Sequence, residues 1–245
     1  MIEWLKRSPA QTPTIEIGGA ELPIVLRRLA HARRMTLRIA ADGSEVRVSL
    51  PRWGRTAEAL AFARSRRDWL AQQIAALPQA RTPEPGGTIP YRGTALRIEH
   101  CPRGRRTPER IDEHTGATIR VGGPAEGLPP RLRRWLEAEA RRLLADDLAE
   151  YCARAQRPLP RLALTNARRR WGSCGPDGSI RINWRLVMAP DFVRRSVVAH
   201  EVAHLVHFDH SPRFHALLAA LFEGDLAAAN RWLKREGRSL YAPFG

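Results

Sequence analysis

Two histidines and a glutamate, in the order His200-Glu201-Val202-Ala203-His204, have the spacing of a metal-dependent hydrolytic centre. On a helix over 192–208 each residue turns by about 100°, so His200 and His204 stand one turn apart on one face. Two imidazoles stacked in this way can share a single tetrahedral Zn²⁺. Glu201 is one position off that face, placed to hold a metal-bound water and take its proton. The charge of the ion draws the pKa of that water toward ~7, which makes hydroxide available at neutral pH. The lead-in Ser196-Val197-Val198-Ala199 is apolar, as expected for a helix buried along most of its surface. Two merely solvated histidines would sit among polar neighbours instead.

A third protein ligand is needed, and three residues compete for the place. His207 continues the same helical face one turn on, about 10 Å along the axis from His200 and a poor reach for an ion held between the first two. It reads as a helix-end histidine favoured by the C-terminal dipole. His210 follows Phe208-Asp209, where the chain can leave the helix and fold back over the metal. Glu223, in Phe222-Glu223-Gly224-Asp225, sits where a downstream helix can supply a carboxylate ligand. His210 is preferred, with Glu223 second.

Further stretches join the first. They are Arg170-Trp171-Gly172-Ser173-Cys174, Gly178-Ser179-Ile180-Arg181-Ile182-Asn183-Trp184-Arg185-Leu186 and His210-Ser211-Pro212-Arg213-Phe214. With His200-Glu201-Val202-Ala203-His204, the combination resembles the YgjP-like branch of the SprT-like zinc metallopeptidases. The segments from Arg33-Arg34 to Pro51-Arg52, and Trp232-Leu233-Lys234, fit as well, so the likeness covers most of the chain. It implies a zincin-type catalytic domain with one zinc per chain on His200, His204 and His210, and Glu201 as catalytic acid and base. The metzincin pattern shares the histidine spacing but fits less well, because His207 stands at its glycine and no methionine follows His210.

With 245 residues, 43% of them hydrophobic, the chain can bury a sizeable core, and the composition argues against disorder. No apolar run approaches the ~18 residues of a membrane span. Met1-Ile2-Glu3-Trp4-Leu5-Lys6-Arg7 has no apolar signal core. Cys101, Cys152 and Cys174 are widely spaced and odd in number, which points to reduced thiols and a cytoplasmic protein. The net charge of +16 suggests a polyanionic partner such as nucleic acid or a phosphorylated substrate. All but two of the 41 basic residues are arginines in a chain rich in alanine and proline, so a GC-rich coding bias accounts for the charge equally well.

The elements that must position the centre imply an α+β fold. After a leader over 1–13, an N-terminal β-rich domain is expected over 14–126. Its strands lie at 14–17 and 22–26, with a hairpin pairing Met35, Leu37 and Ile39 with Val46, Val48 and Leu50. The arginines at 27–28 and 33–34 read as charges that protect a solvated strand edge. One helix is expected over 56–77, capped by Thr56, with Leu60, Ala63, Leu70, Ile74 and Leu77 on its stripe and Phe62 and Trp69 as core. A Pro/Gly linker over 79–87 leads to short strands near 88–91, 95–98 and 117–121. A zincin-like α+β catalytic domain is expected over 127–245. It comprises a long helix over 129–155, strands at 162–164 and 179–184, the active-site helix, and helices over 212–222 and 226–236. The strand at 179–184 is the expected edge for β-augmentation by a peptide. Tyr241 is a candidate oxyanion donor.

The function these residues predict is zinc-dependent hydrolysis of peptide bonds, with Glu201 moving the proton. The substrate is a protein or peptide, and the basic surface permits a narrower class, proteins bound to DNA, which the SprT-like resemblance implies. Two alternatives stand beside it: a zinc-dependent nucleotide phosphoanhydride hydrolase, and a basic nucleic-acid-binding protein with a structural zinc. Glu201 weighs against the last, since a closed structural site needs no base.

Overall fold

The computed structural model describes residues 12–40, 43–75, 81–113, 116–168 and 170–244 of an α+β protein. The chain divides into two compact units, Met1–Leu77 and Pro78–Gly245. The leader expected over 1–13, the end of the helix expected to reach 77, and the start of the linker lie largely outside the described residues.

In the first unit, strands β1 (Thr14–Ile17), β2 (Ala20–Leu29), β3 (Thr36–Ile39) and β4 (Val46–Pro51) form a sheet in the order β1-β2-β4-β3. The expected hairpin is present as antiparallel β3 and β4, whereas β2 runs parallel to β4. Period-two alternation buries Ile15, Ile17, Val46, Val48 and Leu50 on one face, together with Ile24. Ala59, Ala63 and Leu70 cover them. These come from two helices, α1 (Thr56–Ser65) and α2 (Arg67–Ala75), and not from one. At Arg66 the backbone leaves helical geometry (φ −109°, ψ 18°). The break lets α1 pack on β2 and β4 while α2 reaches β1 and β3, so a bent pair follows a twisted sheet. Arg55, not Thr56, occupies the N-cap, and the Thr56 hydroxyl accepts from Arg28 instead. Phe62 is partly buried against this core, but Trp69 is exposed.

The second unit begins with the sheet β5 (Thr88–Tyr91), β6 (Thr94–Cys101), β7 (Glu109–Glu113) and β8 (Gly116–Gly122), in the order β5-β6-β8-β7. β7 follows the basic loop and is not evident in the sequence, because Arg110, Asp112 and Glu113 leave it without an apolar face. The division between units falls at 77/78 and not at the expected 126/127. Ile89, Leu96, Ile98, Ile119 and Val121 from this sheet share one continuous core with the long helix α3 (Leu128–Arg154) and the elements after it. Tyr91 also donates its hydroxyl to Glu139 of α3 at 2.6 Å.

Three short strands follow, β9 (Leu162–Thr165), β10 (Gly172–Cys174) and β11 (Ile180–Asn183), in the order β10-β11-β9. Helices α4 (Asp191–His204), α5 (Pro212–Leu221) and α6 (Leu226–Glu236) complete the unit where the sequence places them, except that α4 is shorter. The β5–β6 turn sets the start of α4. Arg92 and Gly93 both have positive φ (50° and 82°), and their amides donate to the carbonyls of Val187 and Met188. A Cβ on Gly93 would fall 2.9 Å from Pro190, the N-cap of α4, so the close approach requires glycine. Arg92 also pairs with Asp191 in the first turn of α4. Among the described residues, no helix is long and apolar enough to cross a membrane.

Candidate functional site

The helix carrying the histidines ends at His204, four residues earlier than the apolar pattern implies. Leu205 and Val206 donate to the carbonyls of Val202 and Ala203, tightening the last turn and turning the chain away. His207 therefore does not extend the ligand face. Its carbonyl oxygen lies 3.0 Å from Nδ1 of His204 and fixes that ring so that Nε2 points into the site. The chain then doubles back, and Ser211 caps α5 by accepting from the Phe214 amide, with Pro212 at the first helical position. This return brings His210 over His200.

The Nε2 atoms of His204 and His210 lie 3.2 and 3.3 Å from Nε2 of His200. One ring nitrogen from each of the three residues falls within 4.8 Å of the others, the arrangement of a group that can hold a metal ion. Phe214, fully buried, forms the wall behind them, its ring centre 4.5–5.0 Å from all three imidazoles. Burial, reinforced by the neighbouring histidines, pushes His200 down to about 4, so at neutral pH it is an uncharged imidazole. Three imidazoles with one coordinating nitrogen each suit zinc and its first-row neighbours, and the donor set fits the group.

Glu223 takes no part. Its carboxylate accepts from Arg195 at 2.6 Å, from the Tyr151 hydroxyl at 2.9 Å and from Arg154 at 2.9 Å, and these partners hold it down to about 2 despite its partial burial. Its place is an ion-pair network linking α3, α4 and the segment after α5.

Glu201 is only 5% exposed and lies against β10. Burial pushes its carboxyl up to about 7, against the opposing pull of the Cys174 backbone N–H and the charge of Arg170. A Cβ on Gly172 would stand 2.7 Å from Glu201 Cγ and 2.8 Å from Cδ. Glycine at 172 is what makes room for the carboxyl. Gly172→Ala is expected to displace the carboxyl by about an ångström and lower kcat by about 10²-fold while metal content stays at the wild-type value. Steady-state kinetics with elemental analysis check this; unchanged kcat would mean that β10 yields and Glu201 does not.

The expected edge strand is corrected by the sheet order. β11 is central, paired antiparallel to β10 and parallel to β9, and has no free edge to offer. Among the described residues the free edge beside Glu201 belongs to β10. The loop leading into β10 is pinned by two residues. Asn183, fully buried, donates through Nδ2 to the Ala167 carbonyl at 2.8 Å and to the Tyr241 hydroxyl at 2.9 Å. Tyr241 donates its own proton to the same carbonyl at 2.9 Å, and its ring packs on Trp171. Its hydroxyl is spent on that bond, so Tyr241 is a brace for the loop and not an oxyanion donor. Cys174 is no nucleophile either, since burial and the nearby Glu201 push its thiol up.

A family model described as "YgjP-like, metallopeptidase domain" matches residues 33–236. The chain belongs to this family. No curated protein and no solved structure matched it. The YgjP-like match begins within the first unit and ends with α6, so it covers β3, β4 and both helices of the first unit as well as nearly all of the second. Membership makes this a protein of a metallopeptidase family, and the three histidines are where a metal can bind.

Proposed function

We propose that this YgjP-like protein is a zinc-dependent peptidase, with His200, His204 and His210 as the metal ligands and Glu201 as general base and acid. The observation that carries the reading is a buried carboxyl, beside an edge strand, one residue from a histidine on which two other imidazoles converge. Bound zinc supplies Lewis acidity that polarises a carbonyl and acidifies water. Glu201 accepts the proton of the attacking water and returns it to the leaving nitrogen, a double role suited to a carboxyl held near neutrality by burial. β10 receives the substrate along its outer edge, where the Cys174 N–H is already turned to Glu201 and the remaining backbone groups can pair with an extended peptide. The carbonyl of His207 keeps the His204 ring oriented for the metal. Three free thiols suit a reducing cytoplasm.

Metal analysis and hydrolysis assays test the reading together. The wild type is expected to hold one zinc per chain and to cleave casein, and not nucleoside triphosphates. His210→Ala is expected to fall well below one zinc per chain after dialysis and to lose casein cleavage. Full zinc occupancy in His210→Ala would remove His210 from the ligand set. Hydrolysis of nucleoside triphosphates in place of casein would move the reaction to phosphoanhydrides.

A further inference from the structure

One end of the first unit's sheet concentrates positive charge around an exposed indole. The register pairs Leu29 of β2 with Pro51 of β4, and Thr36 of β3 with Ser49. The end of β2, the start of β3 and the end of β4 therefore meet, and residues 30–35 cross over them. Arg27 and Arg28 arrive on β2, Arg33 and Arg34 on the crossing, and Arg52 and Arg55 on the turn after β4. The sequence holds no acidic residue between Glu21 and Asp42, or between Glu45 and Glu58. Glu45 belongs to the opposite end of the β3–β4 hairpin, and Glu58 accepts from the Arg55 amide at 3.4 Å. Among the described residues, Arg27, Arg33, Arg34, Arg52 and Arg55 form no ion pair with a carboxylate.

Trp53 stands in the middle of this charge, 77% exposed. Its turn is held in shape. Gly54 donates to the Pro51 carbonyl at 3.0 Å, and the Arg28 guanidinium donates to the carbonyls of Arg52 and Gly54 and to the Thr56 hydroxyl. A fixed turn that presents a large apolar ring to water, at the end of the sheet where these arginines gather, is a costly arrangement unless a partner covers the ring.

We propose that this end of the sheet binds single-stranded nucleic acid, with an unpaired base stacked on Trp53 and the flanking phosphates on Arg33, Arg34, Arg52 and Arg55. The inference does not depend on the hydrolytic centre. A stacked base needs an exposed aromatic ring and cations near it for the backbone phosphates, and Trp53 and the unpaired arginines of this end of the sheet offer both. A duplex hides its base faces and would leave the indole unused. An acidic protein segment would use the arginines but not the indole. A membrane surface would need a broad apolar face, and the large exposed hydrophobic residues at this end are Trp53 and Leu29.

The test is fluorescence anisotropy of the full chain with a labelled thymidine 20-mer, a duplex of equal length and phosphatidylserine-containing vesicles, across about 50–200 mM salt. Single strands are expected to bind more tightly than duplex. Trp53→Ala is expected to weaken single-strand binding at least about fivefold with the salt slope unchanged, and Trp53→Phe to restore part of the loss. Arg33→Ala with Arg34→Ala is expected to lower the salt slope by about 0.7 for each phosphate that is no longer neutralised. Because these side chains are exposed, circular dichroism melting should match wild type. Equal binding of duplex and single strand with no effect of Trp53→Ala would overturn the proposal, leaving only attraction by a chain of net charge +16. Vesicle binding that needs Trp53, without oligonucleotide binding, would overturn it in favour of a membrane surface.

Discussion

Glu201→Gln is expected to keep its zinc and its fold and to lose about 10²–10⁴-fold in peptide hydrolysis, the usual contribution of a positioned acid–base group. The amide fills the same space against Gly172 but can neither accept the proton of water nor deliver one to the leaving nitrogen. The same substitution has a thermodynamic signature in the metal-free protein. In the folded chain the Glu201 carboxyl titrates near 7, and in the unfolded chain near 4.5. Between those values the unfolded state sheds the proton that the folded state keeps, so the contribution of Glu201 to stability falls as pH rises through this window, by about 3 kcal/mol in all. His200 works the other way. Pushed down to about 4 from 6.5, it favours folding as pH rises from 4 to 6.5. The two slopes oppose each other in the wild type, and only the difference between proteins isolates Glu201. The urea-unfolding free energy of Glu201→Gln minus that of wild type, both metal-free, is therefore expected to grow by about 3 kcal/mol from pH 4.5 to 8. A difference independent of pH would show that the carboxyl is not desolvated in solution.

The residues that make up this centre are legible in sequence for a physical reason. Helical spacing fixes the relation of His200, Glu201 and His204 whatever surrounds them, and an apolar lead-in marks the helix as buried. Ser211-Pro212 and Asp225, local start signals, place α5 and α6 correctly. What could not be read depends on residues distant in the chain. Gly172 is small because Glu201, 29 positions on, lies against it. Glu223 has the right residue type for a ligand, and only its partners Tyr151, Arg154 and Arg195 show that it is already engaged. Strand order is equally non-local. Residues 179–184 read as a good strand, and nothing in their composition says that neighbours lie on both sides while three residues over 172–174 hold the edge. The unit boundary escapes sequence reading for the same reason. Gln79 to Gly87 carries the Pro/Gly signal of a linker, yet a second stretch near Gly127 also reads as a boundary, and the choice rests on which core receives Ile89, Leu96 and Ile98.

Asp147→Ala is expected to cost about 3–5 kcal/mol of folding free energy, the range for removing one partner of a buried ion pair. Asp147 on α3 is 4% exposed and accepts from Arg194 Nε at 2.7 Å; Arg194 on α4 is itself 3% exposed. Arg195 also donates to the same carboxylate at 3.2 Å. Without Asp147 the Arg194 guanidinium stays out of water with only Asp191 to balance it, whereas Arg195 keeps Glu150 and Glu223. The pair itself need not be worth this much. Its desolvation offsets most of its attraction, so replacing both partners by apolar residues of similar size, Asp147→Leu with Arg194→Met, is expected to cost clearly less than Asp147→Ala alone. Urea midpoints of the two variants decide the matter, and a loss below about 1 kcal/mol in Asp147→Ala would mean that water reaches the pair. The position of this pair ties stability to function. Arg194 lies six residues before His200 on the same helix, and Asp147 anchors it to the longest helix of the unit. Together with Arg92 and Gly93, which meet the start of α4, the pair sets where the helix carrying His200 and His204 begins. Activity per folded molecule in the double variant then reports how far α4 depends on charge, and not only on packing, to hold Glu201 against Gly172.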